Sequence, residues 1–123
     1  MSEAKTILTV DDSRTMRDML LMTLTDAGYD VVQAEDGEDG LEKLAAKRPD
    51  AIITDINMPK LDGFGFIEKV RADPSNVAVP ILVLTTESEQ DRKDRARQAG
   101  ATGWIVKPFN PTKLLDALRR VGA

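Results

Sequence analysis

Five short apolar runs punctuate the chain, each pair separated by enough sequence for one helix. They are Ile7-Leu8-Thr9-Val10, Asp30-Val31-Val32, Ala51-Ile52-Ile53-Thr54, Ile81-Leu82-Val83-Leu84 and Trp104-Ile105-Val106. Most are continuously apolar, as expected of parallel strands covered on both faces. The run at Val31-Val32 is the weakest and is expected at a sheet edge. Between the runs the apolar period lengthens. Met16, Met19, Leu20, Thr23, Leu24 and Ala27 recur at three- and four-residue spacing and stop at Gly28, a C-cap residue type. Leu41, Leu44 and Ala45 form a second stripe, and Phe66, Ile67 and Val70 a third. Leu114, Leu115, Leu118 and Val121 form the last, after Pro111. Ser13, Asp36 and Asn110 precede helices as N-caps.

The segment from Ser88 to Gly100 differs from the other helices. Its apolar side chains are Ala96 and Ala99, set among Asp91, Arg92, Lys93, Asp94, Arg95 and Arg97. A solvated surface helix has this composition. Such a helix is also held by little apolar burial, so a small energy can shift it. Strands alternating with helices predict an α/β fold: a doubly wound, five-stranded parallel sheet with five helices and right-handed crossovers. No linker, low-complexity segment or repeat interrupts the pattern, so residues 1–123 read as one domain.

In such sheets ligands bind beyond the carboxyl ends of the strands. Asp11 and Asp12 follow the first run, Asp55 the third, Thr85 and Thr86 the fourth, and Lys107 the fifth. A single Asp after a strand is usually a turn or cap residue. Three acids converging on the same edge, opposite a lysine, point to chemistry. Two such charges about 4 Å apart repel by roughly 4 kcal/mol at an effective dielectric of about 20, so the cluster calls for a cation.

Composition narrows the cation and the chemistry. The 123 residues are 41% hydrophobic and 31% charged, with net charge -4, which suits a globular domain and disfavours nucleic-acid binding. There is no cysteine and no histidine, which removes disulfides, thiolate and imidazole metal sites and the Ser-His-Asp triad. Oxygen ligands alone select a hard ion, Mg²⁺ or Mn²⁺, and Mg²⁺ sites commonly share ligands with a phosphoryl group. A carboxylate can accept that group as an aspartyl phosphate. Met1-Ser2-Glu3-Ala4-Lys5 leads into a run too short and wrongly flanked for a signal peptide or membrane span. The expected location is the cytoplasm.

Asp11-Asp12, Asp55 followed by Ile56-Asn57-Met58-Pro59, then Asp62-Gly63, Thr85 and Lys107-Pro108-Phe109 together resemble the receiver domain of two-component response regulators. The resemblance spans essentially the whole chain. It implies the flavodoxin-like strand order 2-1-3-4-5, for which the chemotaxis regulator is itself a standard example. It implies that Asp55 is the phospho-acceptor, that Asp12 binds the metal directly, and that Asp11 does so mainly through water. The backbone carbonyl of Asn57 and Asp55 itself would complete the metal set. Lys107 would contact the phosphoryl group through a lysine held by a cis Lys107-Pro108 bond, and Thr85 would turn its hydroxyl towards that group.

The same resemblance implies a switch. Thr85 would move inwards to the phosphoryl group and Trp104, at the aromatic position of the fifth strand, would follow. Chemotaxis regulators often carry Tyr there; the larger indole only donates a hydrogen bond. Asn57 and Glu87 occupy positions that tune phosphoryl lifetime, and this pair is the one found in rapidly decaying chemotaxis regulators. The implied phosphoryl donor is a histidine kinase of the chemotaxis type. Ser13-Arg14-Thr15-Met16-Arg17 and Asn57-Met58-Pro59 favour the chemotaxis branch, with the flagellar motor switch protein as target. The alternative is a phosphorelay intermediate or phosphate sink serving a histidine phosphotransfer protein. A monomer without nucleic-acid or membrane partners is expected, catalysing only its own phosphorylation and autodephosphorylation.

Two other classes fit less well. A phosphohydrolase of the haloacid-dehalogenase type places its nucleophile in an Asp-x-Asp motif after the first strand, whereas Asp11 and Asp12 are adjacent. A flavodoxin-like FMN binder needs a hydroxyl-rich loop there, and Asp11-Asp12 would repel the phosphate.

Overall fold

The computed structural model describes residues 4–123, so Met1, Ser2 and Glu3, part of the N-terminal segment weighed above as a leader, lie outside them. The elements alternate throughout: β1 Thr6–Val10, α1 Arg14–Asp26, β2 Asp30–Ala34, α2 Gly37–Ala46, β3 Ala51–Thr54 and α3 Gly63–Ala72. A 3₁₀ turn at Pro74–Asn76 follows, then β4 Ile81–Thr85, α4 Gln90–Ala99, β5 Gly103–Val106 and α5 Pro111–Arg120. All four strand pairings are parallel and the order is β2-β1-β3-β4-β5. The fold is therefore the expected flavodoxin-like α/β sheet, with β2 at an edge.

The continuous apolar runs follow from a core on both faces. Leu8, Val10, Ile52, Ile81 and Val83 pack with Phe64, Phe66, Ile67 and Val70 of α3 on one side. Their strand neighbours Ile7, Ile53, Leu82 and Leu84 pack with Leu20 and Leu24 of α1 and Leu114 and Leu118 of α5 on the other. Strand side chains alternate in direction, so a strand apolar at every position serves two cores at once.

The stripes are narrower than their periodicity suggests. Met19 is 46% exposed, while Leu20 and Leu24 carry the α1 contact. Met19 sits about 100° around the helix from Leu20, beyond the sheet-facing line. Ala27 is exposed because it is the C-cap residue itself, and Gly28 follows it at φ 94°. Ala45 likewise faces solvent.

The N-caps fall where the residue types place them. The side chains of Ser13, Asp36 and Asn110 accept from the backbone N–H groups of Met16, Asp39 and Lys113. Helix α4 departs from expectation at its start: it begins at Gln90, and its N-cap Glu89 makes no side-chain capping bond. Ala96 is its one buried residue. Its C-terminus is held by polar contacts instead. Gly100 closes it at φ 118°, and its carbonyl accepts from Arg71 Nε at 3.0 Å and Nη2 at 2.8 Å. No helix among the described residues is long and apolar enough to cross a membrane.

Candidate functional site

Parallel register brings the first two acids together. Val10 pairs with Thr54, so the next residues, Asp11 and Asp55, leave adjacent strands side by side. The Asp55 N–H donates to the Val10 carbonyl at 2.9 Å, and the Asp11 N–H donates to the Ala34 carbonyl at 3.1 Å. Both carboxylates are buried, at 2% exposure for Asp11 and 8% for Asp55, whereas Asp12 turns to solvent. One oxygen from each of the three lies within 4.8 Å of the others. Three hard oxygen donors, with one on the solvent side where waters can complete the shell, fit a divalent cation such as Mg²⁺.

Lys107 reaches into this cluster from the end of β5. Its Nζ donates to Asp11 Oδ2 and to Asp55 Oδ2, both at 2.9 Å. The lysine is placed by its own backbone, whose N–H donates to the Thr85 carbonyl at 2.8 Å, and the Lys107-Pro108 peptide is cis. Burial alone would pull the Lys107 ammonium pKa down, but hydrogen bonds and charge from Asp55 and Asp11 outweigh it and hold the pKa above the ordinary value. Burial raises the Asp11 pKa, and the Asp55 charge adds to it, against the opposing pull of Lys107 and the Ser13 N–H.

Backbone donors fix the remaining oxygens. Asp55 Oδ1 accepts from the Ile56 N–H at 2.6 Å, and Asp11 Oδ1 accepts from the Ser13 N–H at 2.9 Å. Arg17 Nη1 donates to the Asp11 carbonyl at 2.7 Å, tying α1 to the site. Gly63 lets α3 begin directly against the acceptor loop: a Cβ there would run into the Asp55 carbonyl and, at 2.7 Å, Ile56 Cα. Asp62, adjacent to it, caps α3 by accepting from the Gly65 N–H at 2.9 Å. In the sequence Asp62-Gly63 stands only among the residues that carry the resemblance; an Asp ahead of the Phe66-Ile67-Val70 stripe is also a cap signal.

Around this centre stand the other residues singled out from the sequence. Thr85 is fully buried at the end of β4, and its Oγ1 accepts from the Glu87 N–H at 3.4 Å. Asn57 Nδ2 donates to Glu87 Oε1 at 3.1 Å, joining the loops after β3 and β4. Trp104 is half-buried, pairs with Val83 in the sheet, and donates its indole N–H to the Glu87 carbonyl at 3.0 Å. Glu87 thus receives bonds from Asn57 on its side chain and from Trp104 on its backbone. The sequence pairs Asn57 with Glu87 as lifetime residues but does not link Trp104 to them.

Comparison with known proteins gives the same picture along the chain. The family described as response regulator receiver domain matches residues 7–119. Chemotaxis protein CheY1 of Helicobacter pylori strain J99 is 43% identical over 117 residues, 94% of each chain. Among solved structures, chemotaxis protein CheY4 of Vibrio cholerae superposes with TM-score 0.92 at 48% identity, covering 98% of this chain and 99% of that one. The receiver domain of sensor histidine kinase PA1611 from Pseudomonas aeruginosa PAO1, solved with a magnesium ion in its active-site cleft, superposes with TM-score 0.90. It is 30% identical, covering 98% of this chain and 99% of that one. With its sheet order, acidic strand ends and bridging lysine, the chain belongs to the response regulator receiver family and is of the CheY-like chemotaxis type.

Proposed function

We propose that the chain is a cytoplasmic signalling switch that accepts a phosphoryl group on Asp55 from a histidine kinase and thereby changes its affinity for the flagellar motor switch. One observation carries this reading: Lys107 Nζ lies 2.9 Å from both Asp11 and Asp55 within a three-acid cluster at the strand ends. Asp11, Asp12, Asp55 and the Asn57 carbonyl would hold Mg²⁺, whose charge offsets that of the incoming phosphoryl oxygens.

Asp55 supplies the nucleophile. Its Oδ1 already accepts from the Ile56 N–H, which leaves the Oδ2 side, facing Lys107, for attack. A P–O bond forms as the donor's P–N bond breaks, and the imidazole leaves with the electron pair. The chain has no histidine, so that donor belongs to the kinase. The Lys107 ammonium passes from the carboxylate to the phosphoryl oxygens. Water later attacks phosphorus, the bond to Asp55 breaks, and inorganic phosphate leaves. Asn57 and Glu87, at the mouth of the site, set the pace of that step.

The added charge recruits the Thr85 hydroxyl, which gives up its contact with the Glu87 N–H. The β4–α4 loop then rearranges, and Trp104, bonded to the Glu87 carbonyl, moves with it. The test is a phosphorylation assay with acetyl phosphate and Mg²⁺, followed by capture with beryllofluoride-loaded protein. Wild type should incorporate an acid-stable, hydroxylamine-sensitive phosphoryl group, Asp55→Asn none, and only the loaded wild type should capture the motor switch protein. Capture of a histidine phosphotransfer protein alone would instead make the chain a phosphorelay intermediate or sink.

A further inference from the structure

A cavity of about 410 Å³ opens between α2, α3 and the 3₁₀ turn. Its volume lies in the range of small-molecule sites. It is separate from the acidic cluster: α2 and α3 begin at the edge carrying Asp55 and run back, so their C-terminal ends lie at the opposite edge of the sheet. The floor is apolar, from half-buried Leu41 and buried Leu44. Two cations, Arg48 and Lys69, stand at the rim, and neither has a salt-bridge partner within 4.0 Å among the described residues.

Asn76 supplies the second observation. It lines the cavity, and its side-chain amide makes no hydrogen bond among the described residues, so its polar atoms stay open to the cavity. Its backbone is fully used: the N–H donates to the Asp73 carbonyl at 2.9 Å, and the carbonyl accepts from Arg71 Nη1 at 2.8 Å. An amide open to the cavity can donate to or accept from a ligand without breaking an internal bond. Asp73, the one acid in the lining, already accepts from the Ser75 N–H and hydroxyl at 3.0 and 2.8 Å.

We infer that this cavity binds a small organic anion. Arg48 and Lys69 hold its carboxylate or phosphomonoester group, Leu41 and Leu44 cover its apolar body, and the Asn76 amide meets a polar edge. The inference is independent of phosphorylation at Asp55. Titration of the ¹⁵N-labelled full chain with benzoate and with phenyl phosphate tests it, using benzyl alcohol and inorganic phosphate as controls lacking the charge or the apolar body. Saturable amide shifts at Leu44, Ser75 and Asn76 are expected from one or both anions, weakened about tenfold in Arg48→Glu and for each control. No saturable shift from either anion, equal binding by Arg48→Glu, or equal binding of either control overturns the inference. Which of the two anions binds more tightly assigns the charged group. Unchanged Mg²⁺-dependent shifts near Asp55 in Arg48→Glu confirm that this exposed substitution leaves the fold intact.

Discussion

Asn57 and Glu87 touch across the mouth of the site, the amide Nδ2 donating to the carboxylate Oε1 at 3.1 Å. On the proposed function, two residues from different loops would then act as one unit on the water that attacks the phosphoryl group. Alanine at either position is expected to slow decay of the Asp55 phosphoryl group by roughly three- to tenfold, the equivalent of about one hydrogen bond. The double variant should decay about as slowly as the slower single one, because residues in contact do not add. Phosphoryl loss with Mg²⁺ present, after acetyl phosphate is removed by desalting, measures this, and strictly multiplicative effects would count against the unit.

Metal binding should stabilise the folded chain, since the cluster of Asp11, Asp12 and Asp55 exists only there. At a hundredfold excess over the dissociation constant the gain is about 2.7 kcal/mol, enough to raise the unfolding midpoint by several degrees. Exposed Asp12 can be replaced without disturbing the core, so Asp12→Ala should fold normally and lose the Mg²⁺ response. Thermal unfolding with and without Mg²⁺ decides the matter.

Lys107 is the counter-charge in the metal-free protein. Its replacement by Ala leaves two buried carboxylates facing each other and should cost about 3 kcal/mol at neutral pH. Its folded pKa is raised, so its contribution is fully present below lysine's ordinary 10.5 and fades as pH rises through the higher folded value. Denaturant melts in EDTA should show the gap between wild type and Lys107→Ala constant around neutral pH and shrinking in that alkaline range; it also shrinks in acid, as the raised-pKa Asp11 carboxylate protonates.

Gly63→Ala should be the most damaging of the small glycine substitutions near the site. Its new methyl meets backbone, the Asp55 carbonyl and Ile56 Cα, and backbone cannot rotate away. The expected loss is about 1–3 kcal/mol, with reduced phosphoryl uptake. Gly65→Ala meets the end of the Leu61 side chain at 2.7 Å, which can shift, and should cost less. Equilibrium unfolding of the two variants gives the comparison.

The runs Ile7–Val10, Ala51–Thr54 and Ile81–Leu84 were legible as strands because a two-sided core demands apolar residues at every position. The acids at their ends were legible for the same reason: a strand that ends at Val10 or Thr54 must deliver the next residue to the edge. Sidedness was harder. Met19 and Ala45 match the helical period, yet which side of the helix meets the sheet depends on helix placement, a tertiary property. Contacts between distant segments left no local trace. Nothing near Arg71 announces Gly100, and neither Asn57 nor Glu87 names the other. Asn76 reads as an ordinary turn residue until the helices on either side enclose it.

Helix α4 has no side-chain cap at Gln90 and a double hydrogen bond from Arg71 at Gly100. Buried Ala96 and the Arg95 guanidinium, 4.2 Å from the centre of the Phe64 ring, add to that hold, so the helix is anchored through its C-terminal half and freest at Gln90. At 1.5 Å per residue its free end lies roughly 15 Å from the pin, so a rotation of about 10° carries Gln90 roughly 2.6 Å and leaves Gly100 in place. Such a rotation would make the helix a lever with its fulcrum far from Asp55 and its long arm at the loop that bears Glu87. A protein gripping the first turns of α4 would feel nearly the whole stroke, and one gripping the last turn almost none.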